Sequence, residues 1–209
     1  APAPPRRRHR ALTCRGERLD LRRNVREGPA MDVESTALPG VLLVKPRVFG
    51  DDRGFFLETY NETRYREAGI DVSFVQDNHS FSRQGTLRGL HFQTTNVQDK
   101  LVWAIQGEIF DVAVDVRRSS PHFGKWVGAR LSAENKHQLF VPKGFAHGFC
   151  VLSETAEVMY KCSDVYAPGA EGGILWNDPT LNIDWPIKEP ILSPKDEVLP
   201  RFEDAQLFD

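Results

Sequence analysis

Three side chains that suit proton transfer and anion binding lie close together between Thr86 and Lys100. His91 carries an imidazole, which can take up and release a proton near neutral pH. Arg88 lies in a weakly charged run, so its guanidinium needs an anion, and phosphate or carboxylate fits its geometry. Lys100 begins the next predicted strand, where a lysine is usually solvated. The segment therefore predicts a site for acid–base chemistry on an anionic ligand.

The hydrophobic pattern places this segment in a sheet. Leu87, Gly89, His91 and Gln93 share one parity, which would direct them to one face of a strand, with Leu90 and Phe92 on the other. The run that follows alternates strongly, with valines at positions 112, 114 and 116 opposite Asp111, Ala113 and Asp115. We therefore expect the imidazole of His91 to point into a space lined by sheet.

Short strands recur along most of the chain, with turns such as Gln106-Gly107-Glu108 between them. Residues 61–69 predict one short helix with Asn61 as its N-cap, and a second is expected near Pro200 to Leu207. So little helix leaves no residues for βαβ crossovers, which favours an all-β sandwich or jelly roll. The predicted strands are Phe74 to His79, Thr86 to Gln93, Leu101 to Gln106, Ile109 to Val116, Trp126 to Leu131, Gln138 to Val141, Phe149 to Leu152 and Ala156 to Cys162.

The composition indicates one globular domain preceded by a basic leader. Residues 1–30 hold nine arginines against three acidic residues, whereas the chain as a whole has a formal charge of -2. The leader has too few apolar residues to fold, so we expect it to be disordered or non-native, with Met31 as the natural start and residues 31–209 as a single domain. The acidic remainder opposes nucleic-acid binding, and the chain has no apolar run that could cross a membrane.

Three cysteines, Cys14, Cys150 and Cys162, cannot all pair within one chain and show no CxxC spacing. They predict a reducing, cytoplasmic location without a disulfide framework or a thiolate metal cluster.

The segment from Pro142 to His147 has the Pro-x-Gly-x-x-His spacing that resembles the second signature of the cupin superfamily, a group of small jelly rolls. Many cupins bind a metal through a His-x-His pair, but the corresponding residues here read His91-Phe92-Gln93. A metal site is therefore poorly supplied, although His79 and a distant glutamate could converge with the other two histidines. We expect no metal.

Tyr160 is in phase with Val158 and Cys162, which places it on the apolar face of its strand. A buried phenol is most often a packing residue, but it can also donate a proton. The same structural alternative exists for His91, as a core histidine satisfied by backbone groups.

Together these segments resemble the dTDP-4-dehydrorhamnose 3,5-epimerase family, over about residues 38–196. These enzymes are cofactor-free cupins that invert the carbons beside the keto group of a nucleotide-linked sugar. The resemblance rests on the order and spacing of several segments: Phe49-Gly50-Asp51-Asp52-Arg53-Gly54-Phe55-Phe56, Phe74-Val75-Gln76-Asp77-Asn78-His79-Ser80, Leu87-Arg88-Gly89-Leu90-His91-Phe92-Gln93, Ser120-Pro121-His122-Phe123-Gly124, Gly144-Phe145-Ala146-His147-Gly148-Phe149 and Trp176-Asn177-Asp178-Pro179.

The resemblance implies a cupin jelly-roll (double-stranded β-helix) barrel with a few short peripheral helices. It implies that His91 is the base that removes the proton beside the ketone and that Asp196 orients it. Tyr160 would return a proton from the opposite face, while Lys100 would stabilise the enolate oxygen. Further substrate contacts are implied at Arg53, Glu58, Gln76, Asp77, Asn78, Arg88, His147, Tyr166, Glu171 and Lys195.

The same resemblance implies a dTDP-4-keto-6-deoxy sugar as substrate, no cofactor, and a homodimer. Arg88 and Lys195 would hold the diphosphate, and Tyr166 would stack on thymine. Arg53 and Glu58 would reach into the partner subunit's site. The chain departs from the family at Trp103, where many relatives carry a basic residue, and in its basic leader.

Three alternatives stay open at this point. The first is a single-centre epimerase that acts at C3 or C5 alone. The second is a metal-dependent cupin oxygenase, isomerase or hydrolase. The third is a non-catalytic cupin that binds a sugar nucleotide, which the presence of His91, Lys100, Tyr160 and Asp196 argues against.

Overall fold

The computed structural model describes residues 31–209, so the expectations for the basic leader lie outside the described residues. This part of the chain is almost entirely β-structure. The strands are β1 (Met31–Ser35), β2 (Leu42–Pro46), β3 (Val48–Asp51), β4 (Gly54–Leu57), β5 (Gln76–Arg83), β6 (Leu87–Gln93), β7 (Lys100–Gln106), β8 (Glu108–Asp115), β9 (Trp126–Ser132), β10 (Gln138–Val141), β11 (Phe145–Val151), β12 (Thr155–Cys162) and β13 (Glu171–Gly173).

Two antiparallel sheets form the body of the molecule. One sheet has six strands in the order β1-β2-β10-β7-β12-β5, and the other has five in the order β13-β6-β11-β8-β9. Apolar side chains from both sheets meet between them, among them Val102 and Val158 from the first and Ala113 and Phe149 from the second. Burying each of the larger side chains stabilises the fold by about 1.5–3 kcal/mol. This is the cupin jelly roll that the sequence predicts.

The outer faces of both sheets are covered by segments that lie outside the sheets. Residues from the C-terminal part of the chain, such as Trp185 and Phe202, pack on the valines of β8. On the six-stranded sheet, Tyr65 and Ile70 pack against Leu101. These segments therefore bury the outer faces of both sheets. Between the sheets, the apolar core leaves room for a site at one end of the barrel.

β6 and β11 pair through a bulge that decides which side chains of β6 face the interior. His91 lies opposite His147, whereas Arg88 lies opposite Phe149, so β6 has one extra residue between the two pairs. Gly89 has a φ of +126°, and a Cβ there would lie 2.6 Å from the Cα of Gly148. Only glycine tolerates that approach.

The bulge makes the predicted strict alternation of β6 wrong at its first residues. Leu87 packs in the outer cluster with Leu90 and Phe92 instead of sharing a face with His91. Arg88, in turn, is brought to the interior side with His91.

The first short helix is α1 (Glu62–Glu67), and Asn61 caps it as predicted, because its side chain accepts a hydrogen bond from the backbone N–H of Arg64. The helix expected near Pro200 to Leu207 is wrong, since the backbone N–H of Phe202 donates to Asp178 at 2.9 Å and the segment forms turns. The second helix is α2 (Pro194–Glu197). Within residues 31–209, neither helix has the length and apolar character to cross a membrane.

Candidate active site

Two adjoining cavities, of about 430 and 220 Å³, lie between the sheets at one end of the barrel. Four of the predicted site residues line both: His91, Lys100, Tyr160 and Lys195. The larger cavity is also lined by Gln76, Asn78, Tyr166 and Glu171, and the smaller by Arg88, His147 and Asp196. Eleven of the fourteen predicted site residues thus meet around one connected space.

The first histidine of the site is held by a carboxylate far away in the sequence. Nε2 of His91 lies 2.5 Å from Oδ1 of Asp196, which the short helix α2 carries. Ser193 caps this helix, and its hydroxyl accepts a hydrogen bond from the backbone N–H of Asp196. A carboxylate can only accept, so Nε2 carries the proton and Nδ1 keeps its lone pair for the cavity. His91 therefore keeps a free acceptor nitrogen, as a general base requires.

Burial of Asp196 opposes its ionisation, but the hydrogen bond from His91 and the positive charges nearby outweigh it. The pKa of this carboxyl group is therefore held below its ordinary value.

A second histidine–carboxylate pair lies beside the first. Nε2 of His147, on β11, lies 2.9 Å from Oδ1 of Asp111, on β8. Asp111 is fully buried, and its other oxygen, Oδ2, has no hydrogen-bond donor within residues 31–209. The same reasoning assigns the proton to Nε2 of His147 and leaves Nδ1 free.

The opposite wall of the cavity belongs to the six-stranded sheet and carries Lys100 on β7 and Tyr160 on β12. The ammonium of Lys100 lies 6.0 Å from the centre of the Tyr160 ring. Burial lowers the pKa of Lys100, with Cys162 and Asp111 acting in the opposite direction. Burial also raises the pKa of Tyr160, so its phenol keeps its proton.

The larger cavity has a polar lining of amide, phenol and charged side chains. The amide of Gln76 donates to Asn78 at 3.1 Å and accepts from the backbone N–H of Tyr166 at 2.9 Å. The half-exposed ring of Tyr166 lies at this edge of the cavity. Lys195 forms an ion pair of 2.6 Å with Glu171, which lowers the pKa of that carboxyl group.

Arg88 enters the smaller cavity from β6. Its Nε donates to the hydroxyl of Ser82 at 3.0 Å, and a terminal nitrogen donates to the backbone carbonyl of Phe81 at 3.3 Å. Neither partner is charged, so the positive charge of the guanidinium is available to an anionic ligand.

Three predicted site residues lie away from this space. Asp77 points to the outer side of β5 and pairs with Lys161 at 2.9 Å. Arg53 lies on the exposed turn between β3 and β4, paired with Asp51, and Glu58 pairs with Arg64 at 2.8 Å.

The three-histidine arrangement that could have held a metal is not formed. His79 lies on the outer face of β5 and pairs with Glu157 at 2.8 Å, away from His91 and His147. Trp103, where the chain departs from many relatives, packs in the cluster that covers the outside of the six-stranded sheet.

Sequence reasoning missed the partner of His147 and two glutamines, Gln93 and Gln98, that line the larger cavity. Asp111 could have been found, because it shares the inward parity of Ala113 in an apolar strand. A carboxylate at such a position needs a buried partner.

The arrangement supports proton transfer beside a polarised carbonyl. A histidine on one wall faces a lysine and a phenol on the other, and Arg88 and Lys195 can hold a negative group at the edge. The fold and the site thus define an acid–base enzyme built on a cupin barrel.

Comparison with known proteins identifies the family. Residues 35–204 match the family model described as dTDP-4-dehydrorhamnose 3,5-epimerase. A dTDP-4-dehydrorhamnose 3,5-epimerase of Pseudomonas aeruginosa is 59% identical over 180 residues, covering 85% of this chain and 99% of that protein. The chain belongs to the dTDP-4-dehydrorhamnose 3,5-epimerase family, and it is an isomerase that epimerises a dTDP-linked sugar.

Solved structures agree with this assignment. A dTDP-6-deoxy-D-glucose-3,5-epimerase from Legionella pneumophila, in complex with dTDP-4-keto-L-rhamnose, superposes with a TM-score of 0.81 at 50% identity, covering 83% of this chain and 93% of that chain. A 3'-monoepimerase from Streptomyces bikiniensis, in complex with dTDP-quinovose, superposes with a TM-score of 0.76 at 34% identity, covering 80% of this chain and 86% of that chain. The barrel is thus common to epimerases that invert one centre and to those that invert two.

Proposed function

We propose that this protein inverts both C3 and C5 of dTDP-4-dehydro-6-deoxy-D-glucose and so forms dTDP-4-dehydro-L-rhamnose. The observation that carries the proposal is that His91, held by Asp196, lies across one cavity from Lys100 and Tyr160. The high identity to 3,5-epimerases, against 34% to the monoepimerase, favours two centres over one.

Each inversion proceeds through an enolate. Nδ1 of His91 takes the proton from the carbon beside the ketone, and the electron pair of the C–H bond moves toward the carbonyl oxygen. The ammonium of Lys100 stabilises the negative oxygen, which is the group that most needs help in such a reaction. Tyr160, whose pKa is raised by burial, delivers its proton to the other face of the same carbon. Exchange with water then resets both side chains.

The nucleotide half of the substrate occupies the larger cavity. Lys195, which lines both cavities, and Arg88, which lines the smaller one, bind the diphosphate where the cavities adjoin, and thymine stacks on the ring of Tyr166. The amides of Gln76 and Asn78, which lie beside Tyr166, bind the nucleotide by hydrogen bonds. Because Lys195 is paired with Glu171 in the free enzyme, substrate binding rearranges this ion pair. Asp77 points to the outer face of β5, where it pairs with Lys161. It would therefore affect nucleotide binding only indirectly, by holding the strand that carries Gln76 and Asn78.

The active assembly in this proposal is a cytoplasmic homodimer of single-domain chains. The hairpin of β3 and β4 exposes Phe55 and Phe56 by 60% and 69%, and it presents Arg53 at its tip. Aromatic exposure of this size suits burial against a second copy. Arg53 and Glu58 would then complete the site of the partner.

A mixing experiment tests the shared site. Arg53→Ala and His91→Ala variants, each of low activity alone, recover part of the activity when refolded or co-expressed together, because a mixed dimer has one intact site. Absence of any recovery in a mixture shown to contain mixed dimers contradicts a shared site.

The reaction itself is tested by NMR of dTDP-4-keto-6-deoxyglucose with chelator-treated enzyme in D₂O. We expect deuterium at both C3 and C5, together with the inverted product. Deuterium at C3 or C5 alone would show a single-centre epimerase, and no incorporation would overturn the proposed substrate.

A further inference from the structure

Gln93, the last residue of β6, is a buried amide that takes no part in the proton transfer at His91. It stands where the His-x-His pair of many cupins has its second imidazole, and its side chain lines the larger cavity. Only 7% of the residue is exposed. A buried amide needs hydrogen-bond partners for its N–H groups and for its oxygen, so these partners indicate its role.

The amide of Gln93 binds two loops beside the larger cavity. Its Nε2 donates to the backbone carbonyl of Asn96, in the loop between β6 and β7, at 2.7 Å and to that of Val165 at 3.3 Å. Its Oε1 accepts from the backbone N–H of Ala167 at 2.9 Å. The opposite orientation of the amide would set its oxygen against two carbonyls and its nitrogen against an N–H group. Both hydrogens of the amide are therefore used within the protein, and neither is left for a ligand.

Two of these backbone groups flank Tyr166. The segment between β12 and β13, residues 163–170, contains only turns and irregular structure, and Tyr166 is half-exposed, so packing fixes its ring only in part. Gln93 holds the carbonyl before Tyr166 and the N–H after it, while Gln76 accepts from the N–H of Tyr166 itself at 2.9 Å. Two glutamine side chains, each carried by a strand of the barrel, thus hold three consecutive backbone residues.

We propose that Gln93 is a positioning residue that holds Tyr166 at the edge of the larger cavity, so that a stacking surface for the nucleobase exists before the nucleotide binds. The inference rests on the proposed function, in which Tyr166 stacks on thymine. A surface that is already ordered does not reduce the binding free energy by having to be ordered on binding. Gln93 therefore acts on the affinity for the nucleotide and leaves proton transfer at the sugar unchanged.

The first test is calorimetry of dTDP and of inorganic pyrophosphate with Gln93→Leu and Tyr166→Ala. Tyr166→Ala should weaken dTDP binding by about 5–150-fold, the range for loss of one base–aromatic stack. Gln93→Leu should weaken it by at least about 5-fold, but by less than about 2-fold when added to Tyr166→Ala, because the amide acts through the ring. Pyrophosphate lacks the base, so its affinity should stay at the wild-type value in all three variants.

Kinetics separates positioning from catalysis. The nucleotide is bound alike in the ground state and the transition state, so Gln93→Leu should raise KM for the dTDP-sugar and keep kcat within about 2-fold of the wild type. A fall in kcat with KM unchanged would connect Gln93 to the chemistry of His91 and overturn the proposal. Gln84→Leu is the matched control, because Gln84 also donates to a backbone carbonyl, that of Leu152 at 2.8 Å, but lines neither cavity.

A second variant, Gln93→Glu, tests the N–H groups even if the leucine variant does not fold. An ionised glutamate accepts from Ala167 but cannot donate to Asn96 or Val165, whereas its protonated form regains one donor. Burial beside two carbonyl oxygens raises the pKa of the introduced carboxyl group. The dTDP affinity of the variant relative to the wild type should therefore rise as the pH falls from about 8 to about 5. A constant ratio over this range would contradict the role of the N–H groups.

The outcomes distinguish failure of this inference from failure of the proposed function. Unchanged dTDP affinity in Tyr166→Ala removes the stacking contact and, with it, the inference. Weaker dTDP binding in Tyr166→Ala but not in Gln93→Leu overturns the inference alone. The same conclusion follows from an additive effect in the double variant, or from equal losses of dTDP and pyrophosphate binding in Gln93→Leu.

Discussion

The two walls of the cavity prepare their side chains for proton transfer in different ways. On the five-stranded sheet, His91 and His147 are each hydrogen-bonded to a carboxylate that fixes the tautomer and the direction of the ring. On the six-stranded sheet, the pKa of Lys100 is lowered and that of Tyr160 raised, in both cases chiefly by burial. Hydrogen bonds thus fix the protonated nitrogen and the ring direction of the two histidines, whereas desolvation shifts the pKa values of Lys100 and Tyr160.

This difference follows from where the partners come from. Asp196 belongs to a four-residue helix far along the chain, and Asp111 belongs to the strand next to that of His147. Both carboxylates therefore reach their histidines only when the chain has folded. Lys100 and Tyr160 lie on neighbouring strands, among the apolar side chains that fill the barrel below them. We call the wall with His91 and His147 the base wall and the wall with Lys100 and Tyr160 the acid wall. Activity should depend on single hydrogen-bonding groups in the base wall, and on charge and polarity in the acid wall.

The largest effect should come from removing a base. His91→Gln is expected to lower kcat by about 10²–10⁴-fold, because the variant keeps a polar group but cannot take the proton. Steady-state kinetics measures the loss, and calorimetry of dTDP binding serves as the control, which should stay near the wild-type value. Turnover near that of the wild type would show that the base lies elsewhere.

Removing the charge of the opposite wall should have the next largest effect. Lys100→Met is expected to lower kcat by about 10²–10³-fold, which is the usual contribution of one oxyanion donor. An effect on KM alone would contradict the role, because it would show that Lys100 binds substrate and its enolate equally.

Lys100 also predicts the alkaline side of the pH profile. Its pKa lies below the ordinary 10.5, because burial disfavours the ammonium. Activity should therefore fall at a pH below 10.5 as the ammonium loses its proton, and in Lys100→Arg this fall should vanish, since a guanidinium stays protonated. The same alkaline fall in both enzymes would assign it to another group.

Tyr160→Phe should separate the role of the base wall, proton removal, from that of the acid wall, proton return, within one reaction. The base wall stays intact, so deuterium exchange at the carbons should persist. Formation of the inverted sugar should fall by about 10²-fold. This is the lower end of the range for a general acid, because water can reach the site and replace the phenol. NMR follows exchange and inversion in the same sample. Parallel loss of both would mean that the phenol acts before the proton is removed.

The sequence predicted the barrel and most of the candidate residues that line the cavity, for a physical reason. Alternating apolar residues identify a strand and its buried face without knowledge of its partner, and His91, Lys100 and Tyr160 lie in or beside such strands. Their order in the chain was sufficient for the family resemblance, which supplied Asp196 as the partner of His91.

The remainder depends on contacts that no local pattern records. The bulge at Gly89 changes the face on which Arg88 lies, and it exists because β6 meets Gly148 of β11. The pairing of Asp111 with His147 likewise requires the register of β8 against β11. The helix prediction near Pro200 to Leu207 was wrong for the same reason. Asp178, which is distant in sequence, accepts a hydrogen bond from the backbone N–H of Phe202.

The smallest effect concerns the stability that the base wall contributes. The folded pKa of Asp196 lies below its ordinary 3.8, mainly because the hydrogen bond from His91 outweighs the cost of burial. A lowered carboxyl pKa stabilises the folded state above the unfolded pKa, and this contribution is lost as the pH falls through the folded pKa. Asp196→Asn removes it, so the variant should be less stable than the wild type at neutral pH, with the gap narrowing below 3.8. Urea unfolding at a series of pH values measures the gap, and a gap independent of pH would mean that Asp196 contributes by shape and not by charge.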